Sequence, residues 1–245
     1  MRNIKLVIEY DGTAYSGWQS QDNSVGIQEI IEKAIRKTTG EKVKLIGSGR
    51  TDAKVHAKGQ VANFFTNSNI PGDRFVYALN IKLPYDIQII ESEEVDLDFH
   101  SRFSAKRKRY RYVIYNGKIL RPLYRNFSYH VGRTLDIEEM KKTMDYFIGE
   151  KDFESFMGRK SIVHTTVREI YDMEIIQNDE FIEIVFEGKS FLKNMIRIIV
   201  GTLVFVGIGR IKSEDVEKII KARKRSLAGP TAPPQGLFLE KVYYD

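Results

Sequence analysis

The most constraining feature of this sequence is the order in which strand-like and helix-like segments follow one another. Alternating apolar and polar residues predict a strand at residues 4–10, and apolar residues three and four apart predict a helix at 26–37. Along the chain the order is strand, helix, strand, strand, helix, strand, and then nearly the same again with one extra helix. This order predicts an α+β protein rather than an all-helical bundle or an all-β sandwich.

The remaining elements complete two halves of similar pattern. They are predicted as strands at 43–46, 60–65, 87–95, 107–115, 167–176, 181–186 and 237–244, and as helices at 73–81, 137–148, 191–206 and 213–222. We expect two similar ferredoxin-like or RRM-like halves that share a mainly antiparallel sheet, with helices packed on it and a central catalytic cleft. A shift in composition near residues 99–106 places the boundary between residues 1–104 and residues 105–245.

Positive charge is concentrated in one part of the chain. The net charge is +6, yet residues 99–135 contain ten cations and no Asp or Glu, so the rest of the chain sums to −4. The ten are Arg102, Lys106, Arg107, Lys108, Arg109, Arg111, Lys118, Arg121, Arg125 and Arg133. Aromatic residues alternate with these cations, as in proteins that bind RNA phosphates and bases, although a soluble strand face gives the same pattern. A second basic cluster at residues 221–225 favours nucleic acid.

Several classes of protein are disfavoured by the composition. Cysteine is absent, and the four histidines are far apart in the sequence, so we expect no metal site. The longest uncharged apolar run, residues 198–209, is shorter than the roughly 18 residues of a membrane-spanning helix. Together with the absence of a signal-peptide pattern at the start, these features predict a cytoplasmic protein that does not insert into membranes.

The loop at residues 47–58 is the strongest candidate site. It places Arg50, Thr51, Asp52 and His56 within seven positions, between two predicted strands and beside glycines that allow a ligand to approach the backbone. An Asp in a loop is usually a turn or cap residue, but this density of polar side chains favours a site. The glycine spacing does not match the nucleotide-binding patterns.

Arg197 is the second unusual residue, because it lies within the most apolar predicted helix. A guanidinium stays charged, so in a buried helix it needs a carboxylate or a cage of polar groups. A structural ion pair would satisfy it. If its partner is Asp52, the pair would instead hold a carboxylate ionised as a nucleophile or base.

Blocks of residues along the whole chain carry a family resemblance. They are Tyr10-Asp11-Gly12-Thr13, Gly17-Trp18-Gln19-Ser20-Gln21, Gly49-Arg50-Thr51-Asp52-Ala53, Val55-His56-Ala57, Leu79-Asn80, Leu83-Pro84, Phe99-His100-Ser101-Arg102-Phe103-Ser104-Ala105, Arg109-Tyr110-Arg111-Tyr112, Asp152-Phe153, Ser155-Phe156, Arg168-Glu169-Ile170, Phe191-Leu192, Met195-Ile196-Arg197, Pro230-Thr231-Ala232-Pro233 and Gly236-Leu237. In these motifs the chain resembles the TruA family of tRNA pseudouridine synthases, and the Arg-Thr-Asp loop is the most specific of them.

The resemblance implies isomerisation of uridine to pseudouridine at positions 38 to 40 of the tRNA anticodon stem-loop, by a homodimer without a cofactor. It implies that Asp52 is the catalytic carboxylate, that Tyr110 stacks on the flipped base and that Arg197 pairs with Asp52. It also implies that Arg50 helps to extrude the uridine and takes its place in the stack. The other expected substrate-binding residues are Thr51, His56, Arg102, Arg109, Arg111 and Leu237. Whether Asp52 attacks C6 or C1′, or supports a glycal-like intermediate, stays open.

Two departures from the family pattern lie near these residues. Lys54 stands where the family usually has Gly, which predicts that this position does not need a positive φ. Lys193 and Asn194 stand where an aromatic residue and a His are common. Neither departure changes Asp52 or Arg197.

Three other functions fit parts of the sequence. A non-catalytic RNA-binding protein or RNA chaperone would keep the basic and aromatic residues without needing Asp52. A related synthase acting on ribosomal or other RNA would keep the fold. A structural dimer whose basic face only maintains solubility would not show tRNA binding with a steep salt dependence.

Overall fold

The computed structural model describes residues 1–20, 25–158 and 163–245. Its strands are β1 (Arg2–Tyr10), β2 (Ile46–Gly47), β3 (His56–Thr66), β4 (Ile87–Val95), β5 (Arg107–Tyr115), β6 (Tyr129–His130), β7 (Gly149–Asp152), β8 (Val167–Asn178), β9 (Phe181–Gly188) and β10 (Leu237–Tyr243). Its α-helices are α1 (Ile27–Thr39), α2 (Phe75–Asn80), α3 (Ile137–Met144), α4 (Met195–Gly207) and α5 (Asp215–Ala222). These elements confirm the α+β class.

The chain forms two compact units. The first unit is Met1–Lys106 together with Phe238–Asp245, and the second unit is Arg107–Leu237. The sequence prediction placed residues 105–245 together in the second half, whereas the last segment packs with the first. It does so because β10 pairs in parallel with β3, with Phe238 opposite His56 and Leu239 opposite Ala57.

The first unit has the βαββαβ order of a ferredoxin-like fold. Strand β1 lies between β3 and β4 and pairs antiparallel with both. Since β1 occupies one edge of β3, the other edge takes both β2, opposite Asn63 and Ala62, and β10. The buried residues of α1, Ile27, Ile31, Ala34 and Ile35, follow the three-and-four spacing of an amphipathic helix.

The second unit repeats part of this arrangement. Strand β5 pairs antiparallel with β9, β9 with β8, and β8 with β7. In the first unit β1, which precedes α1, lies beside β3, which precedes α2. In the second unit β9, which precedes α4, lies beside β5, and the short strand β6 before α3 pairs in parallel with β5. Helix α4 is buried around nearly all of its surface. It contacts α3 closely at Gly207, where an added Cβ would lie 2.8 Å from Met140 Sδ.

Most predicted elements are found within a few residues of their expected bounds. The β8–β9 hairpin turns at Asp179, whose φ of 51° is left-handed. Helix α4 begins at Met195 rather than at residue 191, because Asn194 is left-handed with φ 61° and cannot continue a helix. The strand predicted at 43–46 is found only as the short β2, Ile46–Gly47, and residues 43–45 are not in a strand. Leu45 bonds through its backbone to Glu32 and Gln28 of α1 instead of to a strand.

In the described part of the chain, no helix combines the length and the apolar character needed to cross a membrane. Helix α4, the most apolar of them, has 13 residues. Among the same residues there is no group of three or more His, Asp or Glu side chains placed to hold a metal ion.

Candidate active site

The loop between β2 and β3 is fixed at its start by buried hydrogen bonds. The hydroxyl of Ser48 donates to Gln60 Oε1 over 2.7 Å, and the Ser48 backbone N–H donates to the carbonyl of Val61. The Gln60 amide in turn donates to the carbonyl of Gly49 over 2.9 Å. Ser48 and Gln60 are both fully buried, so the bond between their side chains lies away from competing water. The chain therefore enters the Arg50-Thr51-Asp52 segment from a rigid base.

Thr51 forms the central anchor of this loop. Its side chain is buried, and its hydroxyl lies 2.7 Å from the hydroxyl of Tyr10 at the end of β1. Burial raises the pKa of Tyr10 well above its ordinary value, although its hydrogen bonds to Thr51 and Gln60 favour the ionised form. The Thr51 carbonyl accepts a hydrogen bond from Trp18, and it lies 2.5 Å from where a Cβ on Gly17 would be. Gly17, with φ 106°, is therefore required by both its conformation and this close approach.

Arg50 and Asp52 flank this anchor and differ in exposure. Arg50 is exposed, and among the described residues it makes no hydrogen bond or ion pair. Asp52 is half-buried, and its carbonyl accepts a hydrogen bond from Val55 over 3.2 Å. Because hydrogen bonds to Tyr10 and Trp18 hold Thr51, the backbone positions of Arg50 and Asp52 on either side of it are fixed.

The expectation for Lys54 is wrong. Lys54 has φ 63°, so the position does adopt the left-handed conformation that favours glycine. The lysine is held there because its backbone N–H donates to the carbonyl of Tyr15 over 3.2 Å, which closes the loop onto the segment after β1. Its side chain is exposed, so the substitution adds a cation beside Asp52 at the cost of backbone strain.

His56 lies beneath the loop with its side chain buried. Its Nδ1 accepts a hydrogen bond from the backbone of Gly12 over 3.0 Å and lies 3.2 Å from a carboxylate oxygen of Asp11. Its ring stacks on Phe238 with centroids 4.8 Å apart. These contacts join β3 and β10 to the segment that follows β1, and they place the imidazole where it supports the loop.

In the second unit, Tyr110 lies on the buried face of β5. Residues 108, 110, 112 and 114 of this strand are all buried, as expected from the alternation of a strand. Tyr110 is opposite Phe186 on β9, and its ring meets Phe191 edge-to-face with centroids 5.3 Å apart. The edge-to-face contact with Phe191 therefore constrains the position of the Tyr110 ring.

The arginines of β5 occupy its opposite face and are paired with glutamates of β9. Arg107 and Arg109 both contact Glu187, at 2.8 and 3.2 Å, and Arg111 contacts Glu183 at 2.6 Å. Neighbouring strands thus neutralise part of the basic stretch. By contrast, Lys118, Arg125 and Arg133 are exposed and form no ion pair with a described carboxylate. Arg121 is also exposed, but it interacts with Tyr115 and with the charge of Glu180. The excess positive charge therefore lies after β5.

Arg197 lies in the first turn of α4 and is half-buried. Its Nε donates to the carbonyl of Ala232 over 2.8 Å, and its Nη1 donates to Asn194 Oδ1 over 2.9 Å. The Ala232 backbone N–H returns a bond to the carbonyl of Arg197 over 3.0 Å. Polar groups of its own unit therefore fix the orientation of the guanidinium. Asn194, which the sequence marked only as a departure from the family, is one of them.

The remaining predicted residues have different settings. Arg102 is exposed on the loop after β4, with its Cζ 5.4 Å from the ring of Phe103. Leu237 is buried at the start of β10. In the C-terminal basic cluster, Arg225 binds the carbonyl of Gly229 and the hydroxyl of Thr231, so it shapes the Pro-rich segment.

Sequence reasoning missed the residues that hold the site. The Tyr10–Thr51 pair joins residues 41 positions apart, and the Gln60 bonds depend on a register that only the folded sheet defines. The glutamates of β9 were detectable in principle. Glu183 and Glu187 lie four apart on the strand that pairs with the basic one, which puts both carboxylates on one face.

Comparison with known proteins relates this sequence to one family. The model of the family described as tRNA pseudouridine synthase matches residues 6–104 and 144–245, which include Asp52 and Arg197, while Tyr110 lies between the two segments. Similar proteins include tRNA pseudouridine synthase A of Acetivibrio thermocellus (55% identity over 244 residues) and of Thermoanaerobacter sp. strain X514 (52% over 244), each aligned over 100% of both chains.

A third relative, tRNA pseudouridine synthase A of Ruminiclostridium cellulolyticum, is 51% identical over 245 residues and 100% of both chains. Among solved structures, the crystal structure of the archaeal box H/ACA sRNP Nop10-Cbf5 complex aligns with 82% of this chain and 43% of that one. At 12% identity and a TM-score of 0.37, that similarity carries no weight. The family match and the relatives above 50% identity cover most or all of the sequence, and the chain therefore belongs to the tRNA pseudouridine synthase family.

Proposed function

We propose that this protein isomerises uridine to pseudouridine in the anticodon stem-loop of tRNA, at positions 38 to 40. Membership of the family carries this proposal, because the matched segments include the Arg50-Thr51-Asp52 loop. The loop geometry supports it. A carboxylate at a fixed backbone position, next to an exposed arginine without a partner among the described residues, suits an enzyme that must draw a base out of a stack.

The reaction is an internal rearrangement. The bond between uracil N1 and ribose C1′ breaks, a bond from C5 to C1′ forms, N1 gains a proton and the hydrogen on C5 leaves to water. Asp52 is the catalytic carboxylate, and Arg50 fills the space that the flipped uridine leaves. Tyr110 stacks on the uracil ring and Arg197 is the partner of Asp52. The protein's own residues carry out these steps, and the active form is a homodimer.

The other predicted side chains take supporting parts in this proposal. Arg102 contacts the RNA directly, because it is exposed. Arg109 and Arg111 contribute to RNA binding from the outer face of β5, where each also has a glutamate partner on β9. Thr51, His56 and Leu237 are buried and act by holding the loop and the start of β10.

Release of tritium from tRNA labelled as [5-³H]uridine tests the proposal, since each turnover frees the hydrogen on C5. We expect release by the wild type, none by Asp52→Asn, and wild-type release by Asp73→Asn. The last variant is a matched control, because Asp73 lies in the same unit and is exposed. Tyr110→Phe should bind tRNA and turn over slowly.

Tritium release, together with tRNA binding measured at several salt concentrations, judges the alternatives. Near-full activity of Asp52→Asn would show that the assigned carboxylate is wrong. Tight binding of tRNA without release by the wild type would favour a non-catalytic RNA-binding protein. Binding that does not weaken as salt rises would favour a basic face that serves only solubility.

A further inference from the structure

The loop after β4 presents an aromatic ring to solvent. Phe103 is 74% exposed, although most large apolar side chains of the first unit are buried. The ring of His100 lies against it, with centroids 4.3 Å apart and planes inclined by 36°. The guanidinium carbon of Arg102 is 5.4 Å from the centre of the Phe103 ring. We call His100, Arg102 and Phe103 the Phe103 platform.

Buried hydrogen bonds fix the residue at the centre of this loop. Ser101 is fully buried, and its hydroxyl and backbone N–H both donate to Asn63 Oδ1, over 2.6 and 3.0 Å. The Asn63 amide donates to Asn3 Oδ1 over 2.9 Å, and the Tyr244 hydroxyl donates to the Ser101 carbonyl over 2.8 Å. The loop is thus attached to β1 and β3 and to the segment that follows β10.

The imidazole of His100 orders the platform itself. Its Nδ1 accepts hydrogen bonds from the backbone N–H groups of Arg102 and Phe103, over 3.1 and 3.3 Å. The ring that supports Phe103 therefore also sets the turn that exposes it. The exposure of Phe103 results from a defined turn on a buried anchor.

The charge around the platform indicates which partner it suits. The platform segment, residues 99–106, carries the exposed cations Arg102 and Lys106 and no carboxylate of its own, while the exposed Asp96 and Asp98 lie just before it in the sequence. A rigid exposed aromatic ring beside a guanidinium is the arrangement that proteins use to stack an unpaired base while neutralising its phosphate. An apolar protein partner would leave the two cations facing a surface that does not need them.

We propose that the Phe103 platform stacks an unpaired base of the RNA substrate, distinct from the uridine that is isomerised. Arg102 holds the phosphate beside that base. This inference rests on the proposed function for the identity of the RNA, but it concerns binding and not the chemical step. Its loss should raise the KM for tRNA and leave kcat at saturating tRNA unchanged.

The test compares Phe103→Ala and Phe103→Trp with Leu97→Ala, which removes another exposed side chain (61%) from the same unit. Equilibrium binding of a tRNA transcript at fixed salt should weaken about ten-fold for Phe103→Ala. Binding should stay within about two-fold of wild type for Phe103→Trp and for Leu97→Ala. The indole introduced by Phe103→Trp should also be quenched when tRNA binds, which reports stacking directly.

Three results would overturn the proposal: wild-type affinity of Phe103→Ala, equal weakening by Phe103→Ala and Leu97→Ala, or no quenching of the new indole. Sedimentation of Phe103→Ala as a monomer, where the wild type is a dimer, would identify the ring as a contact between copies instead. If the wild type released no tritium, the proposed function would fail. The binding and quenching results would still decide whether the platform stacks a base.

Discussion

The contact between Tyr10 and Thr51 should be energetically coupled, and a double-mutant cycle can measure that coupling. Both side chains are buried, and their hydroxyl oxygens are 2.7 Å apart. Tyr10→Phe leaves the Thr51 hydroxyl without this partner, and Thr51→Val leaves the Tyr10 hydroxyl with only its bond to Gln60. Each single change should lower the free energy of unfolding by about 1 to 2 kcal/mol, since a buried polar group loses a partner.

The double variant removes both hydroxyls and leaves neither one unpaired. It should therefore cost about as much as one single change, which gives a coupling energy of about 1 kcal/mol. Trp18 is the only tryptophan of the chain and is 3% exposed, and its ring centroid lies 6.3 Å from that of Tyr10. Its fluorescence therefore follows unfolding of the first unit next to the loop.

Urea unfolding monitored by Trp18 gives the assay. With a slope of about 2 kcal/mol per molar urea, each single variant should shift the midpoint down by roughly 0.5 to 1 M. Costs that add in the double variant to within about 0.3 kcal/mol would refute the coupling, and with it the claim that this bond fixes the loop. If the bond does position Asp52, the single variants should also lower kcat while the affinity for tRNA is kept.

Three other predictions follow from particular contacts. Lys54→Gly should raise the free energy of unfolding by up to about 1 kcal/mol, because glycine adopts the φ of 63° at this position without strain. Lys58→Gly, at an exposed position of β3, should lower the free energy of unfolding, and equal effects of the two variants in urea unfolding would contradict the prediction. Asn194→Gly keeps the left-handed backbone but removes the acceptor for Arg197 Nη1, so kcat should fall several-fold while tRNA affinity is unchanged. Asn194→Asp, which keeps an acceptor oxygen, should restore kcat. A change in tRNA affinity alone would count against a positioning role for Asn194. Burial raises the pKa of Tyr10 above its ordinary 10.0, so above pH 10 only the unfolded state releases this proton. The contribution of Tyr10 to the free energy of unfolding then falls by about 1.4 kcal/mol per pH unit, and Tyr10→Phe should show a shallower decline than the wild type between pH 10 and 12.

The regular elements were predictable because their signals are local. The predicted ranges 87–95 and 107–115 coincide with β4 and β5, whose alternation is visible in the sequence alone. The failures occurred where a distant group decided the outcome. The strand predicted at 43–46 is shortened to β2, which begins at Ile46, because side chains of α1 take the backbone bonds of Leu45. Nothing within a short window of sequence indicates that competition.

The same contrast between local signals and distant contacts applies to the site. Sequence identified Asp52 and Arg197 as unusual, and it identified the stretch that holds the excess charge. It did not indicate which arginines of that stretch already have a carboxylate partner, because Glu183 and Glu187 lie more than 70 residues away. In the folded protein the cations of this stretch therefore differ in their surroundings. The arginines of β5 form ion pairs with β9, and the cations after β5 are exposed.

This division gives the salt dependence of tRNA binding a structural meaning. Only cations that exchange small counterions for phosphates contribute to the slope, and an arginine held by a glutamate must first give up that partner. Removing one exposed cation, as in Lys118→Ala or Arg133→Ala, should therefore lower the slope by about one unit. Arg111→Ala should change it less, because Glu183 balances the charge of Arg111 and is left unpaired when the guanidinium is lost. Equal slopes for the three variants would show that the ion pairs of β5 open when RNA binds, and that the whole basic stretch contacts phosphate.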